Sequence, residues 1–362
     1  MALEVLLRGP VSRTDLARRL GLSAPTLSRV TKDLLSSEIF IETTPQVDRD
    51  TGRPTRPLDV VPESRLFVGI RLTEWEAQGV LTTLRAEVIA ADSMPLRHRN
   101  PSGVRDAIVE VVDRLRRHGA ISGIGVSIGG LVRDHRVVTR APFFSWDRPV
   151  PLADDLNAQL GVPVVIDNDV AALARLHAWF GVGTTNDFCL ITLGIATGYA
   201  LTRQRDVIER PDIGLGVIGH LPVDPYGPLC PDGHRGCAQA MLSIAAIHAT
   251  VSIALGRPVA FDDCLQLARE GHPAARRALN DSIQALGRLI ALVTTTTLTD
   301  HVVIAGEAVG IATLDPPQLA SAIADSRPPA ADAIHLEIEP PSSEPWSKGA
   351  ATAAIRHYVL AG

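Results

Sequence analysis

Gly21 stands between two stretches whose apolar residues recur at helical spacing, and no other feature of this 362-residue chain constrains local folding as tightly. Before it, Ser12 and Asp15 have capping-box-like spacing, and Leu16, Ala17 and Leu20 form one apolar stripe. The glycine supplies the positive φ that closes a helix. After it, Ser23 is placed to cap a second helix over residues 23–36, with Pro25 in the first turn, where a missing N–H costs little. Leu27, Val30 and Leu34 give that helix a face to bury. Its other face is small and polar, with Thr26, Ser28, Arg29 and Lys32, and suits base-edge and phosphate contacts in a DNA major groove.

A helical hairpin on an enzyme surface would show the same pattern, so the residues that follow decide between the two. Residues 39–43 read as a strand and residues 58–61 as its return, with a polar tip that holds Gly52, Arg53, Pro54 and Arg56. Two helices followed by a hairpin with a basic, stiffened tip is the layout of a winged helix-turn-helix, expected here over residues 1–62. Arg53 and Arg56 would follow the minor groove, where the negative potential is strongest. The stretch before Ser12 is short, which predicts a brief first helix or a start further upstream.

The length predicts two or three domains. Hydrophobic residues make up 46% and charged residues 21%, a globular balance. There is no apolar run of about 18 residues and no signal-peptide layout, so the expectation is a cytoplasmic protein without a membrane partner. Residues 1–60 carry a net charge of +1 and the remaining 302 carry −6, too weak an asymmetry to argue for nucleic acid, so that case rests on pattern. Four cysteines in a chain this long do not form a disulfide framework. Cys189 and Cys264 read as core residues. Cys230 and Cys237 lie in a turn-rich loop.

Beyond the hairpin, three strands are expected at 66–72, 77–82 and 86–90, then a helix at 104–118, a strand at 121–128, a helix at 152–160 and a strand at 162–166. A second round begins with a helix at 170–180 and a strand at 187–194. Helices dominate 243–299, and a strand at 302–306 runs into a glycine. Strands followed by alternating helix and strand, seen twice, predict an α/β protein of two lobes with a ligand cleft between them.

Taken in order, the N-terminal block, Gly52-Arg53-Pro54, Asp167-Asn168-Asp169, Gly219-His220 and the run from Gly227-Pro228-Leu229-Cys230 through Gly236-Cys237 resemble the ROK family (repressors, open reading frames, kinases). The likeness is to its transcriptional-regulator branch, typified by xylose and N-acetylglucosamine repressors, and covers essentially the whole chain. It implies a winged helix-turn-helix followed by a two-lobed, actin-like domain of the sugar-kinase and ribonuclease H-like type. The lobes would be residues 63–169 with 345–362, and residues 170–344. It also implies a homodimer or homotetramer on a palindromic double-stranded DNA operator, with a carbohydrate effector.

The same resemblance tests for catalysis. Kinases of this fold need small residues after the first strand so that backbone N–H groups can reach phosphate. Here that place reads Arg71-Leu72-Thr73-Glu74-Trp75, the second phosphate loop reads Leu193-Gly194-Ile195-Ala196-Thr197-Gly198-Tyr199, and the late glycine pair survives as Ala305-Gly306. Asp169 matches the family's catalytic base but has no phosphoryl donor site to serve. The expectation is therefore a regulator and not an enzyme.

For the effector, the resemblance keeps Asn168, Asp169 and His220, while Phe143, Val217 and Gln239 stand where the family places other sugar contacts. Asn168 and Asp169 read equally well as the N-cap of the helix that follows. For a metal, His220, Cys230, position 232 and Cys237 reproduce the spacing of the family's structural zinc site, with Asp232 in place of a cysteine and His234 as a spare nitrogen. The family usually has glycine where Glu38 stands. Two rival readings remain: a sugar kinase with an appended domain, and a regulator whose body binds no sugar and serves as an interaction module.

Overall fold

A computed structural model of the chain describes residues 1–36, 38–47, 54–181, 186–210 and 216–361. The backbone divides into two compact units, Met1–Val182 with Glu344–Gly362, and Gly183–Ser343.

The first unit opens with helices α1 (Ala2–Arg8), α2 (Arg13–Leu20) and α3 (Ala24–Ser36), then strands β1 (Phe40–Glu42), β2 (Gln46–Val47), β3 (Pro54–Thr55) and β4 (Leu58–Val60). The caps form as the sequence predicts. Ser12 Oγ accepts the Asp15 N–H at 3.1 Å, and Gly21 closes α2 at φ 62°. Strands β1 and β4 pair antiparallel with Phe40 opposite Val60, and β2 and β3 continue the hairpin outward. Val5, Leu6, Leu16, Leu27, Phe40 and Leu58 are buried as its core. The short first segment does form a helix, α1, which packs on β4.

Next come β5 (Leu66–Leu72), β6 (Glu76–Thr82), β7 (Val88–Pro95), α4 (Pro101–Leu115), β8 (Ile121–Ile128), β9 (Leu131–Arg133), β10 (Val137–Arg140), α5 (Leu152–Leu160), β11 (Val164–Asn168) and α6 (Asp169–Phe180). The sheet order is β11-β8-β5-β6-β7, with β5, β8 and β11 parallel. Strand β7 starts later than the expected residue 86, because Ala86 sits at φ 57° in the preceding turn. The strands on this sheet and helices α4 and α5 share one hydrophobic core.

The second unit holds β12 (Phe188–Thr192), β13 (Gly198–Arg203), β14 (Asp206–Val207), α7 (Ala238–Leu242), α8 (Ile244–Leu255), α9 (Phe261–Arg269), α10 (Pro273–Thr297), β15 (His301–Ala305), α11 (Gly310–Leu314), α12 (Pro316–Asp325) and β16 (His335–Ile338). Its sheet runs β14-β13-β12-β15-β16, and a separate core joins it to α8 through α12. Helix α13 (Glu344–Ala361) then belongs to the first unit. There it packs against α6, whose Ala172 backbone leaves no room for a side chain at Gly349. The expected division gave residues 170–180 to the second lobe, whereas α6 lies in the first unit. Among the described residues, no helix is long and apolar enough to cross a membrane.

Candidate functional site

On α3 the side chains separate as the spacing predicts, with one addition. Leu27 is buried and Val30 and Leu34 half-buried, but Thr31 is buried too, at 1% exposure, with its hydroxyl toward Met1 Sδ at 4.0 Å. Periodicity in apolar residues does not flag a threonine. Ser23 Oγ accepts the Thr26 N–H at 3.4 Å and lies 2.9 Å from the Thr26 hydroxyl, so Thr26 is engaged in the cap. Ser28, Arg29 and Lys32 are exposed and make no hydrogen bond or ion pair among the described residues. On the hairpin, Arg56 lies 3.9 Å from Glu42, which also pairs with Arg13. Arg53 and Gly52 lie outside the described residues.

The parallel strands of the first unit bring three loops to one edge of the sheet, since both Leu72 and Asn168 stand in register with Ile128. Carboxyl ends of parallel strands are where such sheets hold ligands. At β11, Asp167 accepts the Arg175 Nε–H at 2.7 Å and the Asn168 N–H at 2.9 Å. Asn168 Oδ1 accepts the N–H groups of Val170 and Ala171 at 3.0 and 3.1 Å, and its Nδ2 donates to Gly130 O at 3.1 Å. Asn168 is thus the N-cap of α6. Asp169 Oδ1 accepts the Val170 N–H at 2.9 Å. A side chain at Gly129 would meet the Phe143 ring at 3.0 Å and Asp169 Oδ2 at 3.4 Å, so an apolar ring lies where the family places a sugar-binding amide.

At the β5–β6 turn, the Thr73 hydroxyl accepts the N–H groups of Trp75 and Glu76 and donates to Glu76 O. The Arg71 guanidinium stacks 4.4 Å from the Trp346 ring. Arg99 stacks 4.5 Å from the Trp75 ring and bonds Glu74 at 2.7 Å. Cation–π stacks and an ion pair fill the turn where a phosphate loop needs bare backbone.

In the second unit, Gln239 Oε1 accepts the Thr197 N–H at 3.1 Å and Nε2 donates to Ile195 O at 3.0 Å. The side chain that matches a sugar contact of the family instead brackets a loop, a task that needs both a donor and an acceptor. The Glu307 carboxylate lies against Gly194, adding a negative charge to the would-be phosphate loop. Val217 is exposed and carries no polar group.

The donor atoms of His220, Cys230 and Cys237 lie within 4.8 Å of one another. One imidazole and two thiols form a set that zinc accepts. His220 Nδ1 faces Cys230 Sγ at 3.8 Å, while its Nε2 faces Asp232 Oδ2 at 3.5 Å. Asp232, 68% exposed, therefore lies on the far side of the ring from the thiols. His234 Nδ1 is 3.5 Å from Cys230 Sγ. Burial disfavours the Cys230 thiolate, but hydrogen bonds from His234 and nearby backbone outweigh it and bring the thiol down to about 6. Burial pushes Cys237 up.

Residues 67–343 match the ROK family model, and the chain belongs to the ROK family. It is 24% identical over 300 residues to the DNA-binding transcriptional repressor Mlc of Escherichia coli K12, covering 78% of this chain and 74% of that protein. It is 26% identical over 320 residues to the E. coli K12 DNA-binding transcriptional dual regulator NagC, covering 83% and 77%. A crystal structure of a ROK family transcriptional regulator, homologous to E. coli Mlc, superposes with a TM-score of 0.84 at 22% identity, covering 99% of this chain and 95% of that one. That likeness establishes a shared mixed α/β, actin-like fold.

Proposed function

We propose that this protein is a transcriptional regulator, most simply a repressor, whose residues 1–62 form a winged helix-turn-helix that binds a palindromic DNA operator as a homodimer or homotetramer. The observation that carries this reading is the exposed, unengaged polar face of α3, Ser28, Arg29 and Lys32, beside a hairpin that carries Arg56. The names of Mlc and NagC, both DNA-binding regulators, support it. Thr26 and Ser23 would approach the backbone at the helix start, and Arg53 and Arg56 would follow the minor groove. Selection of genomic fragments on the full chain should enrich an inverted repeat, and Arg29→Ala should weaken binding to it by about 1–3 kcal/mol at fixed salt. Failure to enrich any sequence would overturn this reading, and ADP release in a coupled assay over a sugar panel would replace it with the kinase.

The effector would meet Asn168 and Asp169 in the first unit; His220, the other expected contact, belongs to the second. With Phe143 beside Asp169, the effector would be less densely hydroxyl-bonded than a sugar in an all-polar site. His220, Cys230 and Cys237 would hold a structural zinc, with His234 beside Cys230, and not the expected Asp232, as the candidate fourth donor. Bound there, the ion would tie the loop after residue 220 to the start of α7. Metal analysis of the native protein should find about one zinc per chain, lost in Cys237→Ser. A metal-free native protein with full thermal stability would remove the ion from the reading.

A further inference from the structure

The turn between β6 and β7 is buried at its tip, which is unusual for a hairpin end. Thr83, Leu84 and Ala86 are all under 4% exposed. The turn bonds to the N-terminal block through Leu84 and Arg85. The turn is internally braced, since the Thr83 hydroxyl accepts the N–H groups of Arg85 and Glu87 at 3.2 and 3.3 Å. It is tied outward by the Leu84 N–H, which donates to Pro62 O at 2.9 Å.

From this base Arg85 reaches into the N-terminal block at two points. Its Nη2 pairs with the Asp59 carboxylate on β4 and donates to Gly9 O, between α1 and α2, at 3.4 Å. Gly9 has no room for a side chain, because Asp59, the Val5 carbonyl and Arg85 Nη2 close on it. The pair is largely shielded, with Arg85 24% and Asp59 18% exposed, so solvent screens it less than a surface pair. The buried Arg85 Nε has no hydrogen-bond partner among the described residues. An arginine that leaves one donor buried and unsatisfied is poorly explained by stability and better explained by the geometry it imposes.

We propose that Arg85 is a positioning residue. It fixes the orientation of the N-terminal block on the ROK body and, through it, the operator half-site spacing that the assembled protein accepts. This rests on the reading of the chain as a DNA-binding regulator. In a symmetric dimer the recognition helices meet DNA at a separation set by how rigidly each block is held. A change of one base pair in the spacer shifts a half-site by about 3.4 Å and rotates it by roughly a tenth of a turn, which a rigid dimer resists.

The test uses the full chain and duplexes carrying the enriched inverted repeat with its spacer changed by one or two base pairs, together with a single half-site. Wild type should discriminate against a one-base-pair change by about tenfold or more, and R85A by less than about threefold, with half-site affinity retained. R85K, which keeps a cation near Asp59 without the fork, should lie between them. An R85A spacing profile identical to wild type overturns the proposal. So does equal loss of half-site binding, which would make Arg85 a folding residue of the block. If wild type binds no duplex, the regulator reading fails. Arg85 is then judged on orientation alone, from the label-to-label distance distribution of an Asp33→Cys, Ser102→Cys protein. It should broaden in R85A, and an unchanged distribution overturns the inference.

Discussion

Two polar surfaces of the first unit carry similar residue types and treat them in opposite ways. On α3, Ser28, Arg29 and Lys32 stand on a helix whose start is capped by Ser23, and bond to nothing among the described residues. At the β11–α6 corner, Asp167, Asn168 and Arg175 bond to one another and to the backbone. Family likeness marks both as functional. Their hydrogen bonding separates them: groups held ready on a rigid element can read an outside partner, whereas groups already satisfied hold the element together. The corner is therefore scaffold first, and an effector there must find its contacts in what Asn168 and Asp169 have left over.

The largest expected effect breaks this comparison if it fails. Arg175 and Asp167 are 3% and 7% exposed, and removing one member of a buried pair strands the other's charge. Arg175→Ala should cost about 3–5 kcal/mol in urea unfolding. Arg29→Ala should stay within about 0.5 kcal/mol of wild type, as surface substitutions do, while losing affinity for DNA. If both variants unfold alike, the polar face of α3 holds the fold together just as the corner does and is no interface. If Arg175→Ala is neutral, the corner is not scaffold and Asp167 becomes available to a ligand.

The same contrast explains what the sequence disclosed. Ser12, Gly21 and Ser23 act within four residues of themselves, so the caps of α2 and α3 were legible, as were β5, β8 and α5 from local periodicity. Helix α1 was legible only as one of two alternatives, because seven residues hold little pattern and its packing partners, β4 and α13, lie far along the chain. Arg175 left a faint signal, a lone cation in the apolar run of α6, eight residues after its partner. Gln239 left none, since the loop it brackets comes from 42 residues earlier in the chain. The thiols and His220 converge at the predicted spacing, but the side of the ring on which Asp232 lies depends on how the loop turns at Gly233.

The smallest effect sharpens the comparison inside the N-terminal block itself. Glu38, between α3 and β1, sits at φ 59°, the left-handed region where a side chain crowds its own carbonyl and where the family usually has glycine. Its side chain is exposed and bonds to nothing among the described residues. Glu38→Gly should stabilise the chain by about 0.5–1 kcal/mol, the relief of strain being partly offset by the freer unfolded glycine. DNA affinity should hold, because the polar face of α3 is untouched. A destabilised variant with weakened binding would instead mean that the left-handed glutamate positions the end of the recognition helix, and that exposure without hydrogen bonds is not enough to mark a residue as idle in the fold.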